Sequence, residues 1–313
     1  MKNKNITFKN IWGLLQETFN QFLDDKAFKM SAALSYYAAF SIGPMLIIII
    51  AIAGFIFGED AVKGQIFKEM NSLMGKDGAV LLETIIKGAS NTSTGIIATC
   101  LSILFLVIGS IGVFLELQES LNIIWGVEQR PGRGIKGFFK NRLNSFSLVI
   151  ATSFVMMVSL VINSVMTVLN NYLGETFGIL FPLADLLNNV SSFIFVTILF
   201  GLIYKYLPDV VLPWRYVRVG AVITALLFTL GKYLIGLYIG NSSYSSTYGA
   251  AASMIVLFVW IYYSGLILFF GAEFTQVYRS KFGETEVLPD GDAIKIPKVS
   301  ELIKKSVEKN SDN

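Results

Sequence analysis

Long apolar runs separated by short polar stretches organise most of this chain. Six runs reach the ~20 residues a helix needs to cross a ~30 Å hydrocarbon core. They cover about 31–57, 95–115, 145–169, 187–206, 217–239 and 250–270. Lipid offers no partners to free backbone groups, so each run is expected to be helical. A barrel would show short alternating strands instead. The predicted fold is therefore all-α, a polytopic membrane protein with a six-helix domain over 30–278.

Two flanking patterns differ. Phe8, Ile11, Trp12, Leu15, Phe19 and Phe22 recur at helical spacing among polar residues. Within the segment 1–29, an amphipathic helix on the inner membrane surface and a helix packed under the bundle both fit. Residues 58–94 are mixed. Val62, Ile66, Phe67, Met70 and Leu73 share a face, and Val80, Leu81, Ile85 and Ile86 follow the turn-forming Gly75-Lys76-Asp77-Gly78. That pattern predicts an outer helical hairpin. The polar stretch 279–313 is expected to be a mobile tail.

Lysine and arginine set the orientation. Of the 25, 20 fall in the N-terminal segment, the connections near 130–142 and 205–218, and the tail. Lys63, Lys68, Lys76 and Lys87 lie opposite, and Lys232 sits within a run. The bias places both termini in the cytoplasm of a bacterial plasma membrane. The first apolar run is too long and too far from Met1 for a cleavable signal.

Composition narrows the chemistry. Charged residues make up 15% and hydrophobic ones 54%, and mean hydropathy is +0.61. Histidine is absent and Cys100 is the single cysteine. Ser-His and Cys-His catalysis, histidine metal sites and intrachain disulfides are thereby excluded. No phosphate-binding glycine loop occurs, so ATP-driven pumping is not expected. No cofactor, metal or nucleic-acid partner is expected. A net charge of +3 suits lipid headgroups better than RNA.

Five short motifs stand in order. They are Ser31–Pro44 (SAALSYYAAFSIGP), Leu121–Val127 (LNIIWGV), Tyr204–Pro208 (YKYLP), Tyr248-Gly249-Ala250 and Gly271-Ala272-Glu273. Together they resemble the YihY/BrkB family of bacterial inner-membrane proteins over about residues 10–280. The resemblance implies six helices, a plasma-membrane location and no settled biochemical activity. The family's old ribonuclease label finds no support, because no paired acids or histidines stand on a soluble domain.

Candidate chemistry centres on Lys232, roughly 22 Å into the fifth run at 1.5 Å per residue. A buried cation is costly and usually faces the bundle interior or water. Gly220, Thr224, Phe228, Gly236 and Gly240 lie at four-residue steps from it. Such a stripe either packs closely or leaves a cavity. Snorkelling to the outer interface is the alternative for the lysine. Glu116, Glu119, Asp209 and Glu273 gather at the inner ends of three runs. They suit an ion or proton site, or ion pairs with Arg130, Arg142, Lys205, Arg215 and Arg218. Pro44 inside the first run predicts a kink. Tyr36, Tyr37, Trp125 and Trp214 fit an inner aromatic belt.

These features favour a transporter, channel or lipid translocase for an anionic solute or headgroup, with membrane lipids as surroundings. The alternative is a non-transporting membrane scaffold or envelope-integrity factor. A lipid enzyme using Glu116, Glu119 or Asp209 is the third class, and no enzymatic activity is expected. A homo-oligomer stays open.

Overall fold

The computed structural model describes residues 8–90, 112–129, 181–240, 250–283, 288–291 and 293–296. The third predicted span and most of the second lie outside them. Among the described residues, seven helices and two short strands follow in order. They are α1 (Phe8–Asp24), α2 (Ala27–Phe57), α3 (Glu59–Ser90), α4 (112–125), β1 (Val127–Gln129), α5 (Phe181–Tyr206), α6 (Trp214–Gly240), α7 (Ala250–Phe282) and β2 (Ala293–Lys295). The fold is helical apart from the small antiparallel β1–β2 pair, which apolar periodicity gave no reason to expect.

Local chemistry sets the boundaries. Lys26, in the left-handed region at φ 58°, turns the chain from α1 into α2. α2 then runs continuously through Pro44. Gly58 ends it at φ 86°, ψ 138°, a conformation open essentially to glycine alone. Its N–H caps the Gly54 carbonyl and its own carbonyl accepts from Val62 N–H, so α3 begins at once. α5 stops two residues before Pro208, as the steric restriction ahead of proline requires. Pro213 immediately precedes α6, and its carbonyl accepts from Tyr216 N–H.

Helicity continues from Glu59 to Ser90, yet α3 is not one straight rod. Lys63, Ile66 and Phe67 line the same cleft as Ala79, Leu82, Ile86 and Lys87. In a straight helix Lys63 and Lys87 would stand about 36 Å apart. The chain therefore doubles back between Phe67 and Ala79, a stretch that includes Gly75-Lys76-Asp77-Gly78. Ion pairs Glu59–Lys63 and Glu83–Lys87, each 2.6 Å, support the two arms locally.

Besides a small cluster of Leu14, Phe274 and Val277, two clusters form the described core. One joins α1, α2, α4, α5, α6 and α7 through residues such as Phe22, Leu121, Phe200, Val217 and Phe269. The other packs α3 onto α2, α6 and α7 through Val62, Leu82, Ile50, Ile235 and Trp260. Phe228 touches both, and its ring meets Phe200 and Trp260 edge-on. Among the described residues, Trp214–Ile235 and Met254–Phe282 are long and apolar enough to cross a membrane, and Ser192–Tyr206 is a shorter apolar helix.

The polar C-terminal stretch is more structured than its composition suggested. α7 continues helical to Phe282. Val211 N–H then donates to the Leu288 carbonyl, Asp290 N–H to the Asp209 carbonyl, and β2 pairs with β1. Residues 288–296 are thus bound along the α5–α6 connection and the strand after α4.

Gly58→Ala is expected to lower stability by about 1–3 kcal/mol, because the conformation itself excludes a side chain. Gly64→Ala, at an exposed helical glycine with open space around it, is expected to raise stability by up to about 1 kcal/mol. Thermal unfolding of both variants in one detergent checks the pair.

Candidate functional site

The candidate residues fall into three separate settings. The first is a knot around Asp209, in the connection between α5 and α6. Its carboxylate accepts from Gln118 Nε2 at 3.1 Å, Asn122 Nδ2 at 2.8 Å and Gln129 Nε2 at 3.0 Å. Its backbone N–H donates to Asn122 Oδ1 at 2.8 Å, and its carbonyl accepts from Asp290 N–H. One residue thus ties α4, β1, the α5–α6 connection and the C-terminal stretch. Helical spacing puts Gln118 and Asn122 on one face of α4 and aims both amides at the same oxygens. A carboxylate so occupied is a structural acceptor rather than an open ion site. Neither Gln118 nor Asn122 stood out in the sequence, since uncharged amides give no compositional signal.

The other three acids do not join Asp209. Among the described residues, no group of three acids is arranged to hold a metal ion. Glu119 is exposed. Glu116 is half-buried, and Ser120 Oγ lies 3.5 Å from its carboxylate. Burial pushes the Glu116 carboxyl above its ordinary 4.5, and the Glu119 charge adds to this; Ser120 and Lys29 act in the opposite direction. Glu273 is fully buried on α7. Two turns on, the buried Arg279 guanidinium lies 6.0 Å from the Trp125 ring centroid. Trp125 is itself buried in the core, so it is no part of an aromatic belt. Trp214, Tyr36 and Tyr37 are exposed and do suit one.

The second setting is the seam between α6 and α7. Thr224 Oγ1 donates to the Gly220 carbonyl on its own helix, and Thr275 Oγ1 donates to the Gly271 carbonyl on its own. A Cβ at Gly220 would overlap Thr275, and one at Gly271 would overlap Thr224. Each threonine therefore occupies the gap left by the other helix's glycine. Tyr204 of α5 closes the end of this arrangement. It donates to the Leu268 carbonyl at 2.7 Å and lies 2.9 Å from Thr224 Oγ1. Further along, Tyr263 fills the space above Gly231. The small-residue stripe is thus a close helix contact here, not a cavity. Gly236 continues it on α6, where its surroundings are outside the described side chains. The same holds for Pro44 on α2.

The third setting is Lys232. It is half-buried, and no described residue pairs with it. At 100° per residue it lies about 80° round the helix from Thr224 but within about 20° of Ala221 and Ala225. Ala221 faces Gly201 of α5, so Lys232 continues the α5 side of α6 rather than the closed seam.

Apolar helices of membrane-crossing length, joined through glycine-threonine contacts with hydroxyls bonded to their own helix, are features a helical membrane protein has. The chain belongs to the virulence factor BrkB family, whose model matches residues 18–293. A UPF0761 membrane protein of Azotobacter vinelandii is 29% identical over 284 residues, covering 87% of this chain and 64% of the relative. One from Pseudomonas aeruginosa (strain LESB58) is 28% identical over 259 residues, with 81% and 59% covered. One from Mannheimia succiniciproducens is 28% identical over 278 residues, with 87% and 90% covered. The chain spans about three-fifths of the length of the first of these relatives. No solved structure matches.

Gly271→Ala is expected to cost about 1–3 kcal/mol through overpacking against Thr224 and Tyr204, read as a lower unfolding temperature in detergent. Glu116→Gln is expected to act oppositely and with pH dependence. A carboxyl raised in the folded state favours the protonated fold, so the charged form weakens it as pH rises through the raised value. The variant should exceed the parent in unfolding temperature at pH 7.5, and the gap should close near pH 4.

Proposed function

We propose that this is a multi-pass plasma-membrane protein that moves an anionic solute or lipid headgroup, with both termini in the cytoplasm. Six helices span the membrane in this reading, and the α3 hairpin stands on the outer side. The carrying observation is Lys232, a half-buried cation inside Trp214–Ile235 with no described counter-charge. Such a cation has a reason to persist if it meets an anion in a wet path. The path meets α6 at Lys232 and the half-buried Thr229, because threonine and tyrosine close one side and Ala221 and Ala225 are buried below. The reading involves no chemical conversion and no bound cofactor, and nucleic acid is no partner.

A second reading, a non-transporting scaffold, draws support from that closed seam and from the bonded C-terminal stretch. Both features describe a rigid body rather than a moving one.

Thiol labelling separates the two. In a Cys100→Ser background, Lys232→Cys, Thr229→Cys and Thr224→Cys are exposed in vesicles to a membrane-impermeant reagent. Labelling needs water and thiolate at the site. The transport reading expects positions 232 and 229 to label about tenfold faster than 224. Equal silence at all three, with normal labelling after denaturation, would overturn it in favour of the scaffold. In the wet case, anion flux into proteoliposomes should fall with Lys232→Ala and return with Lys232→Arg.

A further inference from the structure

We infer that α1 is an in-plane membrane helix with three distinct faces: one docked on the bundle, one inserted among lipids, one in water. This rests on the membrane setting proposed above, and not on transport.

The faces follow from exposure taken in helical order. Leu14, Thr18 and Phe22 are buried. Leu14 packs with Phe274 and Val277 of α7, and Phe22 meets Phe270 at 5.8 Å between ring centroids. Lys281 Nζ fixes the orientation by pairing with Glu17 at 2.6 Å and donating to the Gly13 carbonyl at 2.8 Å. Next around the helix come Trp12, Leu15, Phe19 and Leu23, within an arc of about 80°. They are 66%, 38%, 51% and 45% exposed. Gln16, Asn20 and Asp24, also exposed, occupy the following arc of about 80°. The order is bundle, apolar, polar. A helix exposed only to water would have no cause to sort its exposed residues into separate apolar and polar arcs.

Two observations favour lipid as the occupant of the apolar arc. The first is depth. α1 packs along residues 270–281 of α7, just beyond the predicted inner end of the sixth span at 270. That is the level at which interfacial helices lie. The second is continuity. The exposed Phe28 ring meets Phe22 at 5.3 Å and carries the apolar surface from α1 onto α2. Two to three turns further, Tyr36 and Phe40 are exposed in mutual contact at 5.0 Å. The arc on α1 is therefore the lower edge of the surface that a membrane-crossing α2 turns toward acyl chains. A partner protein seated on Trp12 and Phe19 would have to displace lipid from that edge.

Spin labels test this in the full-length protein, reconstituted in vesicles of phosphatidylethanolamine and phosphatidylglycerol. In the Cys100→Ser background, single labels enter through Leu15→Cys, Phe19→Cys and Leu23→Cys, and through Gln16→Cys and Asn20→Cys. Membrane-soluble oxygen and a water-soluble nickel chelate report what surrounds each label. The inference expects the oxygen-to-nickel accessibility ratio to rise several-fold at 15, 19 and 23 over 16 and 20, although 19 and 20 are adjacent. Uniform nickel access would place the helix in water and overturn it. Low access to both reagents at 19 and 23, with dipolar broadening between copies, would assign the arc to a second copy instead. Trp12→Phe leaves every buried contact of α1 in place. Loss of fluorescence quenching by shallow brominated lipid in that variant gives a label-free check, and unchanged quenching would count against insertion.

Discussion

The close approach of α6 and α7 is the constraint on which the bundle depends. Two helices in lipid gain little from burying apolar groups, because the surroundings are already apolar. They gain from contact, and contact requires one backbone to come near the other. Gly220 and Gly271 provide the space, and Thr275 and Thr224 fill it reciprocally. The threonine hydroxyls would be costly in that setting were they not bonded to the carbonyls one turn back on their own helices. Tyr204 joins α5 to the same point, so three helices share one polar cluster inside an otherwise apolar core.

The knot at Asp209 does for the connecting segments what that seam does for the helices. These segments bury Leu207, Val210, Leu212 and Val127 in the core, and hydrogen bonds satisfy the polar groups buried with them. Concentrating three side-chain amides and two backbone bonds on one residue makes their order cooperative. The arrangement explains why a buried amide pair on α4 is needed beside an acid that a sequence reading naturally groups with other acids.

Apolar run length made the helices legible, and four of the predicted spans coincide with α2, α5, α6 and α7. The residues 75–78, read as a turn, fall between the two stretches of α3 that line one cleft. What stayed hidden was pairing at long range. Nothing local to Val127–Gln129 or Ala293–Lys295 distinguishes a strand from a loop, since each is three residues long. Nor did the stripe below Lys232 say which way it faced. Four-residue steps grouped Lys232 with Thr224, while the angle round the helix puts it nearer Ala225 and Ala221, on the α5 side. Trp125 misled for a related reason: tryptophan near a span's end suits an interface, but here it is buried in the core with the Arg279 guanidinium near its ring.

The β1–β2 pair also bears on how the protein is made. β1 leaves the ribosome before α5, α6 and α7, and β2 emerges after all three. Every described helix is therefore made while β1 still lacks its partner strand. The bonds from Ala293–Ile296 and from Asp290 can form only once synthesis has passed them. Closure of this surface is thus a late step of biogenesis, possible only after the last helix has been made. Until then the Asp209 carbonyl and the edge of β1 remain available to water or to the insertion machinery.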